Sequence, residues 1–149
     1  YREMQYVVLD YLQLKQTSLA SNDLTKVKEL AQTKPWWDTI DFLSRSVGYI
    51  CLHYPGTKKI VLDWSTDEDI WLRRLAIEHQ LLQKEQTDVL LLEQILLNNL
   101  EQTEFFINKA IGWALRDYSK TNPDWVRDFI QMHKEGLTSL SIREGSKYL

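Results

Sequence analysis

EFFINKAIGWALRDYSKTNPDW, residues 104–125, decides the class of fold. Thr103 can open a helix from 104 to about 119. In TNPDW, Asn122 caps the next helix and Pro123 takes its first position, where a missing N–H is harmless. Two helices joined by a short break are the unit of an all-α chain. Within the first, Lys109, Trp113, Arg116 and Lys120 run down one face at spacings of four, three and four. Phe105, Phe106, Ile107, Ala110, Ile111, Ala114 and Leu115 occupy the other faces.

Working outward, the same punctuation recurs. Residues 2–15 read as an amphipathic helix already in progress, with Tyr6, Leu9, Tyr11 and Leu12 at apolar spacing. Ser21 or Asn22 can cap a helix from about 23 to 32. TKPWW starts the next, with Pro35 in its first turn, and that helix runs to about Tyr54. A short segment covers 57–64. Ser65 and Glu68 are spaced as a capping box for a helix over 67–84, with Ile70, Trp71, Leu75, Ile77 and Leu81 inward. Residues 87–100 are apolar enough to be buried on two sides. Ser141 and Glu144 form a second capping-box spacing near the end. A helix pair every 35–40 residues or so is the period of a HEAT-type solenoid. An irregular helical bundle is the alternative. No strand alternation stands out.

Bulk properties narrow the setting. At 149 residues the chain suits one domain with a sizeable core. One cysteine, Cys51 in the apolar YICLHY, excludes a disulfide framework and a cysteine-built zinc site, and fits a reducing, cytoplasmic compartment. No apolar run approaches the roughly 20 residues that span a bilayer. His53, His79 and His133 are scattered without metal-ligand spacing, so they read as surface or satisfied histidines and no metal or cofactor is expected. Net charge is −3 but uneven: residues 1–106 carry 11 basic against 16 acidic groups, and residues 107–149 carry 7 against 5. A modestly basic C-terminal part is compatible with a phosphate-facing surface.

Three segments carry possible chemistry. In KPWWDTID, residues 34–41, Trp36 and Trp37 diverge by about 100° on a helix, whereas Trp37 and Asp41 share a face. That pairs an aromatic plane with a carboxylate; the plain alternative is two core tryptophans and a solvated acid. Asp38 suits the first-turn dipole. In DIWLRRLAIEHQLLQKEQTD, residues 69–88, Arg74 and Glu78 are four apart. Such a pair is usually solvated and contributes ~0.3–0.5 kcal/mol; the functional alternative makes one arginine a phosphate ligand. The third segment is the Lys109–Trp113–Arg116–Lys120 stripe, which suits phosphates with an aromatic plane on sugar or base. Its alternative is a half-buried tryptophan among snorkelling cations.

Taken in order, YREMQYVVLDYL, WWDTID, IWLRRLAIEHQLLQKEQTD, FFINKAIGWALRDYSKTNPDWV and LTSLSIREGSKYL resemble the DNA alkylation repair family, the HEAT-like alkylpurine DNA glycosylases of AlkD type. The resemblance spans nearly the whole chain. It implies a curved all-α HEAT-like solenoid over residues 1–149 whose concave, basic face cradles duplex DNA, acting as a monomer without a cofactor. It also implies further N-terminal helices before residue 1, so the chain is expected to be a piece of a longer protein. The implied activity is hydrolytic excision of N3- and N7-alkylated purines such as 3-methyladenine and 7-methylguanine, by a cytoplasmic, nucleoid-associated enzyme. The essential acid falls on Asp41, the cleft tryptophans on Trp37 and Trp113, and the cleft arginine on Arg74, which would also grip a phosphate. Lys84, Arg116 and Lys120 fall where the family places backbone-contacting cations, and Lys109 joins them through the stripe. The resemblance further suggests an open cleft rather than a pocket for a flipped base. A non-catalytic DNA-binding member of this fold and a helical-repeat protein scaffold are the other functional classes.

Overall fold

The computed structural model describes residues 19–33 and 35–149. The helix expected over 2–15 lies outside them. Among the described residues are eight α-helices and no strand: α1 (Asp23–Gln32), α2 (Trp37–His53), α3 (Lys58–Trp64), α4 (Ile70–Glu78), α5 (Val89–Leu97), α6 (Phe105–Ser119), α7 (Pro123–His133) and α8 (Ser139–Gly145). None is long and apolar enough to cross a membrane.

The helices form two rows. α2 packs on α4, α4 on α6 and α6 on α8, while α1, α3, α5 and α7 lie against this inner row. The inner helices begin at Trp37, Ile70, Phe105 and Ser139, a regular interval slightly tighter than the one read from the sequence. This is a helical-repeat stack, in which each pair buries its apolar face on the next. In α2 the inward residues Ile40, Leu43, Val47 and Ile50 are wholly buried. Each such side chain contributes roughly 1.5–3 kcal/mol by burial. That outweighs the cost of up to ~0.7 kcal/mol that a β-branched residue carries in a helix.

Several boundaries differ from the sequence reading, most of them where a tertiary partner intervenes. Pro35 precedes α2 instead of sitting in its first turn. Trp36 is the extended N-cap (φ −150°, ψ 157°), a conformation from which its ring reaches Trp71 and Phe106. α4 begins at Ile70, not 67: Asp67 accepts the Asp69 N–H, and Asp69 accepts the Trp71 N–H as the N-cap. Ser65, expected in a capping box, is buried and bonds Leu62 and Asn98 instead. α4 also ends at Glu78, short of 84. The chain then turns with positive φ at Leu82 and Lys84, and Asp117 of α6 accepts the Leu82 N–H at 3.0 Å. α8 is capped by Thr138 because both members of the expected Ser141–Glu144 box are taken by α6. Ser141 donates to the Asn108 carbonyl and Glu144 meets Lys109. α5 buries one face only, with Leu90 exposed.

Two core features set tolerances. Gly48, in the middle of α2, lies against the backbone at the end of α4, where a Cβ would overlap the His79 carbonyl oxygen. His79 is buried; its Nδ1–H donates to the Ala76 carbonyl at 2.6 Å and its Nε2 has no hydrogen-bond partner. Burial lowers its pKa to about 4, so the ring is neutral. Cys51 is a buried core residue, its thiol pushed up by the same desolvation.

Gly48→Ala is expected to cost ~1–3 kcal/mol of stability by overpacking, measured by urea unfolding. His79 predicts an acid limb. Below the ordinary histidine value of 6.5 the unfolded chain takes up a proton that the folded chain refuses until about pH 4. Stability from this group is therefore complete above 6.5 and lost as pH falls toward 4. The wild type should lose roughly 3 kcal/mol relative to His79→Gln over that window, read from unfolding free energies at the two ends.

Candidate active site

The inner row brings the singled-out residues together. On α2, Ile40, Leu43 and Val47 face the core, which turns Trp37, Asp41 and Arg45 outward at intervals of four. Trp37 is 40% exposed. Trp37, Asp38, Asp41, Phe42 and Arg45 line an open cleft of about 260 Å³. Asp38 turns to the helix start, where its Oδ1 accepts the Thr39 N–H at 2.8 Å. Trp36, Trp71 and Phe106 form an aromatic cluster beside the cleft, with ring centroids 5.1–6.1 Å apart.

Arg74 reaches this cleft from behind. Its side chain is 1% exposed. Nε donates to Asp41 Oδ1 at 3.1 Å and Nη2 to Asp41 Oδ2 at 3.3 Å, a two-pronged grip on the carboxylate. Nη1 donates to the Phe106 carbonyl of α6 at 2.7 Å. The guanidinium also stands 5.6 Å from the Phe106 ring centroid and 5.4 Å from that of Trp113. The side chain of Asp41 keeps 24% exposure, so the carboxylate is both anchored and reachable.

Glu78 lies one helical turn after Arg74. The i, i+4 spacing suggests a solvated pair, but both side chains are 1% exposed. Glu78 Oε1 sits 2.7 Å from Arg74 Nε, yet that N–H is directed at Asp41, so the oxygen has a charge contact and no hydrogen bond. Burial, reinforced by the neighbouring Asp41 carboxylate and opposed by Arg74, pushes the Glu78 carboxyl up to about 9. Two carboxyl groups share one guanidinium, and the more buried one keeps its proton.

Trp113 of α6 is half-buried and borders a second cleft of about 330 Å³ with Leu81, Arg116, Asp117 and Lys120. The basic stripe beside it is partly balanced. Lys109 Nζ lies 2.9 Å from Glu144 Oε1, and Arg116 Nη1 lies 3.6 Å from Glu144 Oε2. Lys109 also stands 5.8 Å from the Trp113 ring centroid. Lys120 is exposed and lies over the ring of Tyr148, as do Arg116 and Lys147. Lys84 is exposed in the turn after α4, apart from the Asp41 cleft lining.

Thus Asp41, Arg74 and Trp113 meet through one guanidinium, and Trp37 shares the cleft with Asp41. Sequence reading missed Arg45, although it repeats the four-residue step from Trp37 to Asp41. It named Glu78 but placed it in solvent, since spacing carries no information about burial. The Glu144 contacts join residues 35 and 28 positions apart, beyond any local pattern.

The DNA alkylation repair enzyme family matches the chain over residues 1–149. The fold is also similar to the solved structure of a predicted DNA alkylation repair enzyme from Enterococcus faecalis, with a TM-score of 0.90 and 36% sequence identity, covering 99% of this chain and 69% of that one. No curated protein matches. With the helical-repeat stack and the match over its whole length, the chain belongs to the DNA alkylation repair enzyme family.

Proposed function

We propose that the protein is a monofunctional DNA glycosylase that hydrolyses the N-glycosidic bond of N3- and N7-alkylated purines in duplex DNA. The observation that carries this reading is the anchored but accessible Asp41 carboxylate at a tryptophan-lined cleft. Phosphate binding alone has no use for an acid held there.

An N3- or N7-alkylated purine is cationic. When its glycosidic bond breaks, the bonding electron pair leaves with the base and neutralises it, so the leaving group requires no general acid. One carboxylate is enough, unlike the pair used on ordinary sugars. Positive charge then develops on the deoxyribose. Asp41 faces that charge and orients a water, whose oxygen bonds to C1′ while its proton passes to the carboxylate.

Magnitudes rank the contributors. Opposite charges ~4 Å apart at a partly buried site interact by roughly 4 kcal/mol. A tryptophan face contributes ~0.5–2 kcal/mol to a nearby cation. Asp41 therefore carries the larger part, and Trp37 and Trp113 favour a cationic base over a neutral one. Arg74 acts by holding Asp41 in place before the substrate arrives, which spares reorganisation during the reaction. With its donors turned inward, phosphate contact passes to Arg45, Lys84, Arg116 and Lys120, and to Lys109 when it leaves Glu144. With water as the nucleophile, the product is an intact strand carrying an abasic site.

Asp41→Asn is expected to slow release of 7-methylguanine from methylated duplex DNA by about 10²–10³-fold at saturating protein, with DNA affinity little changed. Wild-type release by the variant, or strand scission by the wild type, would count against the reading. Arg74→Leu removes the donors of Asp41 and of the Phe106 carbonyl. It is expected to cost ~3–5 kcal/mol of stability, measured by chemical denaturation.

A further inference from the structure

We propose that Glu78 is a positioning residue for Asp41: from the back wall of the cleft, its carboxylic acid donates a hydrogen bond to the Asp41 carboxylate while Arg74 grips the same carboxylate from the side. The inference rests on the glycosylase reading for its effect on rate, but its structural content is independent of it.

The geometry leaves few choices. Glu78 and Arg74 are both 1% exposed, and Glu78 Oε1 touches Arg74 Nε at 2.7 Å without receiving its hydrogen. The N–H groups of Arg74 that point this way are committed to Asp41 Oδ1 and Oδ2. If Glu78 were ionised, two anions would share one cation in a nearly dry interior, with the inner one lacking a donor. Such an arrangement is strongly disfavoured, and retaining one proton removes the excess charge. The partly exposed Asp41 has solvent to share its charge; Glu78 does not. The Asp41 carboxylate, gripped by the same guanidinium that Glu78 touches, is the acceptor for that proton.

Among the described residues, the charged side chains that bear on Glu78 are Asp41 from α2 and Arg74 from α4 itself. From α6 the same guanidinium meets neutral groups, the Phe106 carbonyl and the Trp113 ring. α6 thus adds no second cation to charge Glu78.

The consequence is a neutral assembly of one cation, one anion and one acid, with the anion facing the cleft. The acid fixes Asp41 in orientation without adding charge. Removing the acid while keeping the volume apolar releases Asp41 to rotate, and small errors in the placement of a reacting group are costly.

The test combines single-turnover release of 7-methylguanine from methylated duplex DNA with ¹³C-carboxyl NMR titration of the DNA-free protein. Glu78→Gln supplies an amide donor of the same shape and is expected to stay near the wild-type rate. Glu78→Leu is expected to lose about tenfold or more in the rate at saturation, with little change in half-saturating DNA and an equal or higher melting temperature. In the titration Glu78 is expected to hold its proton to about pH 9, and its midpoint to fall in Asp41→Asn. A wild-type rate in Glu78→Leu, or a Glu78 that titrates as an ordinary carboxyl, overturns the proposal. If the wild type releases no base, the glycosylase reading fails. The titration then decides separately whether Glu78 shares its proton with Asp41, and an unchanged midpoint in Asp41→Asn overturns it.

Discussion

A single buried guanidinium ties the candidate site together. Arg74 belongs to α4, grips Asp41 of α2 and donates to the Phe106 carbonyl of α6. Three successive inner helices are thereby held in one register at the point where the cleft opens. A buried cation is stable only when its donors are matched, so the position of each helix is constrained by the others. Apolar packing between the same helices supplies most of the stability, but it is tolerant of small slides. The directed bonds of Arg74 are less so, and they place the Asp41 carboxylate at the cleft instead of elsewhere along α2.

Two adjacent buried residues at the end of α4, one of them behind that carboxylate, are kept uncharged by their burial. Glu78 is raised to about 9 and His79 is lowered to about 4, each chiefly by burial. Between these values both are uncharged. The Arg74–Asp41 pair then remains as a balanced dipole whose negative end is the accessible one. Their effects on stability oppose each other in slope. Glu78 disfavours folding as pH rises through the range between its unfolded and folded values, whereas His79 disfavours it as pH falls below 6.5. A site built this way holds its electrostatics across the neutral range.

The basic stripe on α6 is less of a bare cation surface than its composition suggests. Glu144 of α8 takes Lys109 and approaches Arg116, while the Tyr148 ring lies beneath Arg116, Lys120 and Lys147. These contacts pre-orient long side chains that would otherwise lose rotamer freedom on meeting a phosphate. Glu144 lowers the net positive potential of the same surface, and its own carboxyl is held below the usual range chiefly by its hydrogen bond with Lys109.

By itself the sequence determined the helical class, an approximate repeat interval and the pairing of Trp37 with Asp41 on one face of α2; that this face points outward was decided by packing. The first three are local: 3.6-residue periodicity, an Asn122–Pro123 helix start and the four-residue step from Trp37 to Asp41 are all written within one or two turns. It also pointed to Arg74 and Trp113, through family resemblance in segments whose order could be read along the chain. What tertiary structure alone decided was burial and long-range pairing. Spacing placed Glu78 four residues from Arg74, but only the packing of α2, α4 and α6 made both of them dry, which turned a weak surface pair into a proton-holding group. The release of the expected α8 cap residues to α6 and the balancing of Lys109 were likewise settled by neighbours distant in sequence. A side chain's periodicity is a property of its own helix, whereas its dielectric surroundings belong to the helices that cover it.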